Sequence, residues 1–232
     1  MDEFRSGPID DGDWPETIAA HAVDVDTEPH LFGYAVETDL ANHYCLSEIL
    51  LLAATGELPE PGAARAFELG LAFLAPASIA EAPVHAACLS RICGAEPTAT
   101  LGVAAIALGE QARFVIAEHA DLLGWLENGG CFPERHVATS DSERASVARL
   151  RNALAQIPFH VDALDRDPTR TAALLGVLWA AGLRDRERLA LAWILSRLPV
   201  AAAEARHHRP GSLRDYPMNT PIFSYQPPGG RR

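Results

Sequence analysis

The chain has 232 residues, about half of them apolar, and a formal net charge of -12. That is enough for one folded domain with a sizeable core, and the acidic balance argues against wrapping nucleic acid or an anionic membrane, which takes clustered cations. All 19 basic residues are arginine, which excludes Schiff-base chemistry and a P-loop lysine.

Residues 1–30 carry many acids, Gly and Pro without a sustained period. They read as an N-terminal arm with one short strand around "HAVDV". Helices come next. "LSEILLLAATGELP" starts at Ser47 as N-cap and stops at Gly56. "PGAARAFELGLAFLA" opens on Pro61 at a first helical position, and "APVHAACLSRICG" ends on Gly94. One long helix is expected over about 97–127, interrupted in character by Gly109, Glu110, Gln111 and Arg113. "SDSERASVARLRNALAQIP" pairs Ser140 with Glu143 in capping-box spacing, ahead of an apolar stripe through Val147, Leu150 and Leu154. "DPTRTAALLGVLWAAGL" reads as capped by Asp167, and the helix of "DRERLALAWILSRLPVAAAEARHH" as bent at Pro199. From about 210 the chain is Pro-rich and extended. Tyr216, Phe223 and Tyr225 mark that tail as one that docks, because a free tail seldom carries three aromatics in so short a span. The expected architecture is an all-α, compact multi-helix domain over 31–210, with a tail over 211–232 packing on the domain or a partner. Abundant Ala and Gly predict close helix packing.

Cys45, Cys88, Cys93 and Cys131 lack C-x-x-C spacing and read as reduced thiols. The sequence shows no charged-then-apolar leader, and its apolar runs are broken by Gly, Glu or Arg. A soluble cytoplasmic protein is the expectation. No metal is expected. The adjacent His207 and His208, and His43 two residues from Cys45, are poorly spaced for one ion on a helix.

Two residues stand out chemically. Asp162 lies in the apolar "IPFHVDAL"; it either caps a local turn or is partly desolvated, with a raised pKa suited to a general base. Arg197, flanked by apolar residues in "AWILSRLPV", is either paired internally or aimed at an anionic ligand. Arg113 and Arg144 suit a solvated helix face equally well. No nucleophile elbow, Walker loop or dinucleotide fingerprint occurs.

Several segments, in order, resemble the citrate synthase family, with a length closer to its short citryl-CoA lyase-like branch. "HLFGYAVETDLANHYCLSEILLLAATGELPEP" is similar to that family's opening, "APVHAACLSRICGAEPTATLGVAAIALG" to its next helix pair, and "DSERASVARL" to its "DPRA" segment. "IPFHVDALDRDPTRTAALLGVLWAAGL" resembles its aspartate-bearing run, "SRLPVAAAEA" its arginine segment, and "FSYQPP" its C-terminal "Y-x-G-P". The resemblance implies a multi-helix fold, a dimer with sites near the subunit interface, and bond formation or cleavage between an acyl-CoA and a 2-oxo acid. It puts Asp162 on the catalytic base, Arg197 on a carboxylate-binding arginine and Arg144 on a second arginine, with a one-residue offset. The histidines that polarise carbonyls do not carry over. Ala75–Ala77 stand for "D-H-G", Gly109–Val115 for "G-P-l-H-G-G-A", and Cys131, Phe132 and Pro133 for "G-H-P". Each missing donor is worth about a hundredfold in rate or more.

The expectation is therefore a catalytically degenerate subunit, a homodimer or a heteromer with a citrate synthase-like homologue. One alternative is a diverged enzyme using Asp162, with His160, Gln111 or His136 as replacement donors. The other is an acyl-CoA-binding module without chemistry. No cofactor is required, and a coenzyme A thioester and a small carboxylic acid are the candidate ligands.

Overall fold

The structure, a computed structural model, describes residues 20–25 and 28–211. Three short strands come first: β1 (Ala22–Val25), β2 (Glu28–Leu31) and β3 (Tyr34–Ala35). They form an antiparallel sheet in that order, with Ala22 opposite Leu31 and His30 opposite Ala35. β1 is the strand expected around "HAVDV". The rest of the arm, and the tail bearing Tyr216, Phe223 and Tyr225, lie outside the described residues. A π-helical turn, Val36–Leu40, leads into α1 (Ala41–His43) and plants Leu40 in the interior.

The remaining elements are helical. They are α2 (Leu46–Thr55), α3 (Ala63–Leu74), α4 (Ala82–Ile92), α5 (Pro97–Glu118), α6 (Ala120–Asn128), α7 (Asp141–Leu154), α8 (Arg170–Ala180) and α9 (Arg186–His207). Short 3-10 turns occupy Glu134–His136 and Asp162–Arg166. The main core gathers Phe67 from α3, Leu108 and Ile116 from α5, Leu150 from α7, Leu175 and Leu178 from α8 and Leu189 from α9. A second core is built mostly of small residues: Ala87, Ala104, Ala201 and Ala205 are at most 1% exposed where α4, α5 and α9 meet. Side chains this small let three helix backbones come together.

Local signals account for most helix ends, and four of them differ from the sequence expectation. Cys45, not Ser47, caps α2: its N–H donates to Glu48 Oε2 at 2.7 Å, whereas Ser47 sits inside the helix and donates to Glu68. Gly56 ends α2 in the left-handed region at φ 83°, as expected. The residue before α3 is Gly62, with Pro61 in the preceding turn. Thr169, not Asp167, caps α8; Asp167 is itself left-handed at φ 48° and closes the preceding 3-10 turn. The long helix breaks at His119, whose Nδ1 bonds the Val115 carbonyl (2.8 Å) and whose ring stacks on His136. Ser140 does cap α7, and Val147, Leu150 and Leu154 are buried as the stripe predicts. α9 continues through Pro199.

α5 is the one described helix long and apolar enough, by length and composition, to cross a bilayer. Here it lies against α4 and α9, with Ala104, Leu108, Ala112 and Ile116 turned inward. Its opposite side is open: Val103, Ile106 and Phe114 are 37%, 73% and 62% exposed.

Candidate functional site

Arg197 is the best-held cation among the described residues. It projects from α9, one turn beyond Trp193, and its side chain is 11% exposed. Its guanidinium donates from Nε to the Leu74 carbonyl (3.1 Å) and from NH2 to the Pro76 carbonyl (3.0 Å). NH1 reaches Glu81 Oε2 at 2.6 Å and Gln111 Oε1 at 3.0 Å. The group also lies 4.7 Å from the centre of the Trp193 ring, a cation–π distance. Gln111 closes the loop, donating from Nε2 to Glu81 Oε2 (2.9 Å) and accepting at Oε1 from Trp193 Nε1 (3.0 Å).

Glu81 is the counter-ion, and no pattern in the sequence singles it out. It stands just before α4, and its Oε1 accepts from the Ser78 N–H. Burial alone would raise its pKa. The hydrogen bonds from Ser78, Gln111 and Arg197, with the Arg197 charge, outweigh that and hold it below its ordinary value. Two polar residues expected to contact a substrate, Gln111 and Arg197, are thus brought together, but around a carboxylate of this chain. A cleft of about 210 Å³ opens beside them, lined also by Phe73, Arg170 and Thr171. Arg170 donates to the Phe73 carbonyl.

Asp162 has the opposite setting. It opens the 3-10 turn Asp162–Arg166, and its side chain is 79% exposed, so the expected desolvation is absent in this chain. His160 Nε2 lies 2.9 Å from Asp162 Oδ1 and 3.5 Å from Asp165 Oδ2, and is 71% exposed. The backbone alternates here: Val161 and Ala163 turn inward while His160 and Asp162 turn out. That alternation is the signal that the apolar neighbours obscured. Both residues border a cleft of about 460 Å³ with Trp179 and Arg184. The turn is pressed against α8 at Gly176, where an added Cβ would stand 2.6 Å from Ala163 Cβ.

Arg144 joins neither group. It pairs with Asp141 (2.9 Å) and donates to the Ala138 carbonyl, beside a third cleft of about 240 Å³ that it shares with Arg151. The three clefts have no lining residue in common.

His136, 4% exposed, donates from Nε2 to Asp121 Oδ1 (2.9 Å) and stacks on His119 at 4.7 Å between ring centres. The Arg135 guanidinium, with His136 behind it, holds the Asp121 carboxyl well below the usual carboxylate range. Burial pushes the His119 imidazole below its ordinary value, against the pull of its hydrogen bond to Val115. This cluster fastens the α5–α6 break to the loop before α7.

The stretch "GEQAR" divides by direction. Gln111 points into the Arg197 network and Ala112 into the core. Glu110 and Arg113 pair with each other on the open side of α5.

No protein-family model matches this chain, and no curated protein does. Solved structures do. The citryl-CoA lyase of Hydrogenobacter thermophilus is similar with a TM-score of 0.63 at 17% identity, over 92% of this chain and 96% of that one. The ATP citrate lyase of Methanosaeta concilii, solved with (3S)-citryl-CoA, is similar with a TM-score of 0.64 at 13% identity, over 90% of this chain. The ATP citrate lyase of Methanothrix soehngenii, solved with citrate and coenzyme A, is similar with a TM-score of 0.56 at 13% identity, again over 90%. This chain spans 42% of each ATP citrate lyase chain. Overlap of this extent at such low identity speaks for the fold: the chain has the all-α, citrate synthase-like fold of citryl-CoA lyase.

Proposed function

We propose that this protein is a catalytically degenerate subunit on the citrate synthase-like fold, pairing through the open side of α5 with a homologous chain. The observation that carries the reading is the occupation of Arg197. Its guanidinium is engaged by Glu81, Gln111 and two backbone carbonyls of its own chain. A substrate carboxylate would have to displace an internal one. Ala112, at the position of the family histidine, is fully buried and offers no donor. The open stripe of Val103, Ile106 and Phe114 supplies the pairing surface, since an exposed apolar patch marks a contact site. The ligands of the ATP citrate lyase structures, citryl-CoA, citrate and coenzyme A, support an acyl-CoA and a small carboxylic acid as the ligand class.

The test is expression alone and together with a complete citrate synthase-like homologue, with light scattering and a citryl-CoA cleavage assay on each preparation. The reading expects a mixed assembly, turnover only in that assembly, and loss of assembly with Ile106→Arg. A monodisperse homodimer that never joins the homologue would refute it. A second reading, a diverged lyase or synthase, draws on Asp162 and His160 bordering one cleft with Arg184. If the chain alone turns over citryl-CoA, Asp162→Asn decides between base and bystander.

A further inference from the structure

On α5 the inward stripe of Ala104, Leu108 and Ala112 continues one turn toward the helix start to Thr100, which is 5% exposed. Leu101, beside it, is 41% exposed. The two line a groove of about 410 Å³ between α4, the first turn of α5 and the end of α9. Its floor is Leu101, Ala202 and Ala205, and Arg91 and Arg206 border it, with no carboxylate among the described residues of its lining.

The chain itself leads to this groove. After α9 ends, the Gly211 N–H donates to the Ile92 carbonyl at 2.8 Å, which places the last described residue beside Arg91. The remaining 21 residues, "SLRDYPMNTPIFSYQPPGGRR", contain Leu213, Tyr216, Met218, Ile222, Phe223 and Tyr225 spaced by prolines. An extended chain advances about 3.3–3.6 Å per residue, so 21 residues are enough to cross the groove.

We infer that residues 213–225 of this chain occupy its own groove, completing the small-residue core where α4, α5 and α9 meet. The chemistry matches. Apolar side chains meet the floor, and Tyr and Phe rings stack on the Arg91 and Arg206 guanidiniums. Asp215 supplies the carboxylate that the lining lacks. Prolines lose little freedom on ordering and leave no N–H to strand in an apolar groove. Leu101 lies well round the helix from Val103 and Ile106, so tail docking and subunit pairing use different sides of α5 and fail separately.

The test places a photo-crosslinking phenylalanine analogue at Tyr216, and separately at Phe223, in the full chain. An equal mixture of light and heavy-isotope protein is irradiated and the links are mapped. The inference expects links within one isotopic copy to Leu101, Ala202 and their neighbours, reduced by Ala202→Trp. It also expects trypsin to cut at Arg214 about fivefold faster in the double variant Tyr216→Ser, Phe223→Ser. That readout leaves the groove intact and serves even where Ala202→Trp does not fold. Links between copies, links to other surfaces, or unchanged cleavage in the double variant would overturn it.

Discussion

Arg197 and Asp162, the two residues that stand out in the sequence, occupy opposite settings in the fold. The Arg197 end is closed: a nearly buried cation with a carboxylate, an amide, an indole and two carbonyls gathered round it. The Asp162 end is open: an exposed carboxylate on a short turn, with an exposed histidine beside it. The difference arises from desolvation. A charge removed from water needs partners within its own chain unless a ligand brings them, whereas an exposed one does not. The Arg197 end is self-sufficient within this chain, and the Asp162 end is left in water.

The comparison breaks most readily at the closed end. Arg197→Ala strands Glu81 without its cation and removes four hydrogen bonds, and should cost about 3 kcal/mol of stability; a denaturant titration with unchanged slope measures it. Next in size is Gly176→Ala. Its new Cβ would displace the turn that carries Asp162, so about 1–3 kcal/mol is expected, with the change reported by chemical shifts around Asp162. The pH dependence separates the closed end from the cluster at the α5–α6 break. Glu81 has a lowered pKa, so it contributes stability above its unfolded value of about 4.5 and loses that contribution as pH falls through the lower folded value. His119, also lowered, contributes fully above its unfolded value of 6.5 and less as pH falls below it. Acid melts should therefore weaken in two stages, the first absent in His119→Gln. Smallest of all is Asp162→Asn, within about 0.5 kcal/mol of wild type; a larger loss would mean that the open end is held by something beyond its contact with His160.

Much of the fold is legible in the sequence because its signals are local. Ser140, Gly56 and the stripe Val147–Leu150–Leu154 do in the structure what their spacing indicates. The helix break at His119 is not legible, because it depends on a ring from residue 136. The cap of α8 departs from expectation because Asp167-Pro168 mimics a helix start, whereas Asp167 is the left-handed end of the preceding 3-10 turn. The Arg197 network is hidden for the same reason as the break. Glu81, Gln111 and Arg197 are 30, 86 and 116 residues apart pairwise, and no periodicity links them. Only Trp193 and Arg197, one helical turn apart, are adjacent by pattern.

The closed end is tested most directly by calorimetry with citrate, on the wild type and on Glu81→Ala after melting curves establish that the variant is folded. The internal carboxylate predicts no heat with the wild type. It predicts measurable binding once Glu81 is gone and Arg197 faces the cleft it shares with Arg170. Citrate binding to the wild type as tight as to the variant would contradict it.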